Sequence, residues 1–70
     1  MKRISVTSSN LKSVGYDSQS CILEVEFVRG AIYQYRLVPA LVVCQLIFAE
    51  SVGSYFNKNI QKTYEYMEIK

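Results

Sequence analysis

Cys21-Ile22-Leu23-Glu24-Val25-Glu26-Phe27-Val28-Arg29-Gly30-Ala31-Ile32-Tyr33-Gln34-Tyr35-Arg36-Leu37 is the stretch whose reading decides the fold. Period-two alternation in its first half places Leu23, Val25 and Phe27 on one face of a strand and Ile22, Glu24 and Glu26 on the other. The second half groups Ala31, Tyr33, Tyr35 and Leu37 against Ile32, Gln34 and Arg36. The length of the turn between them determines which group is inside. A two-residue Arg29-Gly30 loop sets Tyr33 opposite Glu26 and Tyr35 opposite Glu24, making the tyrosines an exposed platform, and its common type I′ form requires Arg29 at positive φ. A three-residue Val28-Arg29-Gly30 loop, with Gly30 left-handed as a bulge, instead pairs Phe27 with Ala31, Val25 with Tyr33 and Leu23 with Tyr35. This second register gathers the large apolar side chains on one face and leaves Glu24, Glu26, Gln34 and Arg36 on the other, as a one-sided sheet requires. The three-residue loop is therefore expected, with both tyrosine rings mainly in the core.

Working outward, Ile4 and Val6 alternate with Ser5 and Thr7 as a short opening strand, which Ser8-Ser9-Asn10 breaks as a turn or helix cap in preference to a ligand loop. Lys12 to Asp17 reads as the next strand, with Gly15 marking a bulge or a close approach of another backbone. Asp17-Ser18-Gln19-Ser20 is a turn. Val38-Pro39 ends the sheet and opens a helix from Ala40 to Glu50 that is apolar nearly all round and must be covered on most sides. Ser51 caps a second helix from about Val52 to Gln61, with Val52, Phe56 and Ile60 as its buried stripe and Tyr55, Lys58 and Lys62 on another face. Gly53 suggests that the two helices or a strand come close there. The tail from Thr63 to Lys70 alternates and either adds an edge strand or frays. The expected fold is α+β: a three- or four-stranded antiparallel meander followed by two C-terminal helices packed on one face.

Seventy residues, half of them hydrophobic, make one domain spanning 1–70. A formal charge of +2 permits a nucleic-acid partner without demanding one. Residues 1–10 lack an apolar core of signal-peptide length, so a cytoplasmic location is expected. The apolar run from Leu37 to Ala49 falls short of the ~20 residues a spanning helix needs, so no membrane role is expected. With no histidine and no CxxC pair, neither a metal nor a cofactor is expected, and Cys21 and Cys44 read as two buried, reduced thiols.

An enzyme is not expected. The chain offers no proton-shuttling histidine, no recognisable acid–base pair, no activated nucleophile and no glycine-rich phosphate loop. RNA binding needs cations for phosphates and aromatic faces for bases. The candidates are Arg29 at the hairpin tip, Arg36 on the polar sheet face, and Lys58 and Lys62 of the second helix, with Tyr55, Tyr64 and Tyr66 for stacking and the rims of Tyr33 and Tyr35 besides. The rival class is a protein-interaction or self-associating module, in which a protein partner or a second copy covers the apolar first helix.

The ordered set Ser8-Ser9-Asn10, Gly15-Tyr16-Asp17, Leu23-Glu24-Val25-Glu26-Phe27, Gly30, Tyr33-x-Tyr35, Val38-Pro39, Gly53-Ser54, Phe56-Asn57 and Asn59-Ile60 resembles the KTSC domain. Members of that family occur at the C-terminus of some lysyl-tRNA synthetases and as small single-domain bacterial proteins. The resemblance covers nearly the whole chain, and Tyr33-x-Tyr35 is its marker, read here as structural. For function, the resemblance implies only the RNA binding proposed for the family from its synthetase context, and the expectation is a non-catalytic accessory domain that binds RNA or tRNA.

Overall fold

Gly30 takes φ +103°, and around it the Phe27 amide donates to the Ala31 carbonyl at 2.8 Å while the Gly30 amide donates to the Phe27 carbonyl at 2.9 Å. The three-residue loop and its register follow: Leu23 faces Tyr35 and Val25 faces Tyr33. This is a computed structural model describing residues 1–70. It runs β1 (Arg3–Ser5), β2 (Leu11–Asp17), β3 (Ile22–Phe27), β4 (Ile32–Tyr35), α1 (Ala40–Ile47), α2 (Val52–Asn59) and β5 (Tyr66–Glu68).

The five strands form one antiparallel sheet in sequential order, where the sequence suggests three or four. The tail is the difference. Tyr66 pairs with Tyr35 and Glu68 with Tyr33, and Ile32 exchanges backbone hydrogen bonds with the last two residues, accepting from Ile69 at 2.8 Å and donating to Lys70 at 2.9 Å. Asp17 starts the β2–β3 turn as expected, its carboxylate accepting from the Gln19 amide and the Ser20 hydroxyl.

One face of the sheet carries Leu11, Leu23, Val25, Phe27 and Tyr35, and both helices bury Val43, Leu46, Val52, Phe56 and Ile60 against it. The Val52, Phe56 and Ile60 stripe is thus inside, and Ser51 caps α2 by accepting from the Ser54 amide at 3.2 Å. Gly15 marks a close backbone approach: a Cβ there would lie 2.7 Å from the Lys2 carbonyl oxygen.

Six local expectations are corrected: α1 closes at Ile47 rather than Glu50, and Leu37, grouped with the inward-facing Tyr33 and Tyr35, lies beyond β4 and is 74% exposed. The neighbour that Gly53 makes room for is neither a helix nor a strand but the β1–β2 loop, since a Cβ would lie 2.8 Å from both Asn10 Oδ1 and Ser8 Oγ. α2 closes at Asn59, so Lys62 stands in the turn beyond it. α1 is not covered on most sides, because only Val43 and Leu46 are buried while Leu41 and Phe48 are 68% and 85% exposed. The thiols are unpaired but not buried: Cys44 is exposed on that outer face and Cys21 is half-buried in the turn before β3. No helix is long and apolar enough to cross a membrane.

Candidate nucleic-acid interface

The opposite face of the sheet is occupied by its own charges. Arg3 meets Glu24 at 3.0 Å and Glu26 at 4.0 Å, Lys12 reaches Glu26 at 4.0 Å, and Ser13 donates to Glu26 at 2.9 Å. That serine bond above all, with the two cations, holds the Glu26 carboxyl below the usual carboxylate range. A face so neutralised has little field left for phosphates.

Beside β4 and β5, Phe27, Tyr33, Tyr35 and Tyr66 form an aromatic cleft. Phe27 meets the edge of Tyr33 at 5.0 Å between centroids, and Tyr33 stacks on Tyr66 at 4.9 Å with the planes 3° apart. The Tyr33–Tyr66 stack is diagonal, since the register sets Tyr66 opposite Tyr35, a spacing that only aromatic or long side chains can bridge. Tyr35 below is fully buried, and that burial above all, with Tyr33 and Tyr66 beside it, pushes its hydroxyl up to about 12. The Arg29 guanidinium lies 4.8 Å from the Phe27 centroid and donates to the Tyr33 hydroxyl at 3.1 Å. Gln61 and Lys62 complete a cleft of about 340 Å³.

The residues singled out from sequence therefore separate. Arg29 and Lys62 share the cleft with Tyr33 and the rim of Tyr35. Arg36 does not line that cleft; paired with Glu65 at 3.7 Å, it shares an adjoining open hollow with Lys62, Tyr64 and Tyr66. Lys58 lies elsewhere, and Tyr55 turns to α1, its hydroxyl donating to Gln45 at 2.7 Å. Phe27 and Gln61 belong to the cleft but were not expected there; Phe27 reads from sequence simply as core. Tyr66 is named among the stacking candidates, yet nothing in the tail announces its partner. Tyr66 is 54% exposed even though Tyr33 stacks on its ring and the Tyr35 ring lies 5.4 Å from it.

A second, polar cavity of about 600 Å³ lies between the β1–β2 loop and the start of α2, with Ser8, Asn10, Ser51, Gly53 and Lys58 in its wall. Ser8, Asn10 and Ser51 are engaged in local turn and cap hydrogen bonds. Ser8 Oγ donates to Asn10 Oδ1 at 2.9 Å and receives the Asn10 and Leu11 amides, so Ser8-Ser9-Asn10 is a structured turn locked against Gly53.

A five-stranded antiparallel meander capped by two helices, with a cationic aromatic cleft at its edge, defines a small α+β domain. The chain belongs to the KTSC domain family, which it matches over residues 7–66. It is 47% identical over 70 residues to an uncharacterized protein of Stutzerimonas stutzeri, covering 99% of each chain. It is 36% identical over 61 residues to a lysine–tRNA ligase of Trichormus variabilis, where the match takes up 87% of this chain and 11% of that protein. A crystal structure of a KTSC domain protein from Yersinia pestis superposes with a TM-score of 0.93 at 33% identity, over 99% of this chain and 97% of that one.

Proposed function

We propose that the domain is an accessory module that binds single-stranded RNA, including the unpaired bases of tRNA. The observation that carries this reading is the Tyr33–Tyr66 stack with Arg29 and Lys62 at its rim. A base of any identity can extend an aromatic stack, and the two cations, neither paired with a carboxylate, are free to hold the flanking phosphates. The occurrence of matching sequence within lysine–tRNA ligases supports tRNA as the source of the ligand.

With two phosphate contacts, log affinity should fall against log salt with a slope of about −1.4. The test is an NMR titration of labelled protein with short single-stranded RNA and with tRNA at low and moderate salt. Shifts centred on Arg29, Lys62 and Tyr66 that fade with salt are expected. Tyr66→Ala should lose about tenfold in affinity or more, and Tyr66→Phe should keep most of it. An absence of shifts at low salt would remove the RNA reading.

A further inference from the structure

The outer face of α1 is unpartnered within the chain. The helix carries no charged residue, and Leu41, Cys44 and Phe48, at spacings of three and four, point away from the sheet. Beside this ridge runs an apolar groove of about 150 Å³, walled by Ile4, Val14 and Tyr16 of the sheet and by Val43 and Ile47 of α1. The groove opens to solvent on one side, and its walls are apolar apart from Lys2, which suits an apolar side chain entering from outside. Phe48 follows Ile47 directly, so the projecting ring and the groove sit on adjoining faces at one helix end, and Phe48, 85% exposed, does not fill its own chain's groove.

We infer that two copies of the chain pair about a two-fold axis at the C-terminal end of α1, with Phe48 of each seated in the Ile4–Ile47 groove of the other. A knob and a hole on one surface are what an isologous interface requires, because each copy must present both. Charge agrees with the geometry. Lys2 is the only charged residue lining the groove, and Glu50 is the charged residue nearest Phe48 along the chain, so reciprocal seating brings opposite signs together on both sides. The patch is small, which sets the association in the weak, concentration-dependent class. None of its residues lines the aromatic cleft, so the pairing stands or falls independently of the RNA reading.

Sedimentation equilibrium of the full chain from about 10 µM to about 1 mM reads the association directly. Monomer and dimer are expected to exchange in that range, with Phe48→Ser and Ile4→Lys each weakening the dimer about tenfold or more. Both positions are exposed enough for the fold to survive, which circular dichroism verifies. Mixing the two variants should recover part of the association, because the mixed pair retains one intact knob-and-groove contact. A wild-type chain that stays monomeric at 1 mM, a dimer indifferent to both substitutions, or a mixture no tighter than its components would overturn the proposal.

Discussion

Arg3 of β1 reaches across β2 to donate to Glu24 of β3 at 3.0 Å, although their strands are not neighbours. Arg3, Gly15, Glu24 and Gln34 stand in one row across the sheet, and Gly15 contributes no side chain to block the path. Gln34 Nε2 donates to the other carboxylate oxygen at 2.9 Å. The Glu24 side chain is only 12% exposed, and its carboxylate is held at both oxygens, which offsets the cost of taking it out of water.

Gly15→Ala should therefore act on two things at once. The new methyl would lie 2.7 Å from the Lys2 carbonyl and 2.9 Å from Arg3 Cγ, so β1 must shift and the ion pair must stretch. We expect a loss of about 1–3 kcal/mol by denaturant titration, as for other overpacked sites. Arg3→Ala, which takes one of two partners from the buried Glu24 carboxylate and the longer contact from Glu26, should cost about 1–3 kcal/mol. Equal midpoints for Gly15→Ala and wild type would show that β1 does not lie against Gly15.

Gly30→Val separates backbone strain from crowding. A Cβ at Gly30 would meet nothing within 4 Å, but φ is +103°, where a β-branched residue is disfavoured. The expected loss is about 1–3 kcal/mol. Unchanged thermal unfolding would mean that the hairpin uses a different turn.

Tyr35 sets a limit on the alkaline side. Its hydroxyl, held by burial at about 12 in the folded chain, titrates near 10 once exposed. Above pH 10 the unfolded chain therefore binds fewer protons than the folded one, and stability falls as pH rises toward 12. The stability at stake is on the order of 2 kcal/mol. Tyr35→Phe should flatten this limb in urea titrations at pH 9 and 11; a limb of unchanged steepness would assign it to another group.

Leu37 combines φ +59° with 74% exposure, so its side chain gains little from burial while its backbone is strained. Leu37→Asn, better suited to the left-handed region, should stabilise the domain by about 0.5–1 kcal/mol. A lower melting temperature would show that Leu37 makes apolar contacts its exposure does not reveal.

The hairpin was legible because Gly30 and the face-sorting of Leu23, Val25, Phe27, Tyr33 and Tyr35 favour one of two registers, and those are local constraints. The α2 stripe and the Ser51 cap were legible for the same reason. The tail was not, since alternation in Tyr64 to Ile69 is equally compatible with fraying, and what settles it is the unpaired edge of β4. The cleft was only half legible. Arg29 and Lys62 are chosen by charge, but their meeting depends on α2 closing at Asn59 and on a diagonal contact between Tyr33 and Tyr66. Arg36 and Lys58 share the same chemistry, and no local pattern separates them from the two that meet.

β5 is three residues long, has no neighbour on its far side, and nevertheless supplies the cleft's most exposed ring. On the proposed reading, a base stacking on Tyr66 would find its platform only in molecules whose tail is docked, so the apparent affinity would be the intrinsic one multiplied by that fraction. Capture and docking become a single equilibrium. Ligand would show itself at a distance by slowing amide exchange at Ile69, which donates to Ile32, and anything that loosens the tail would weaken capture without removing one contact to the ligand.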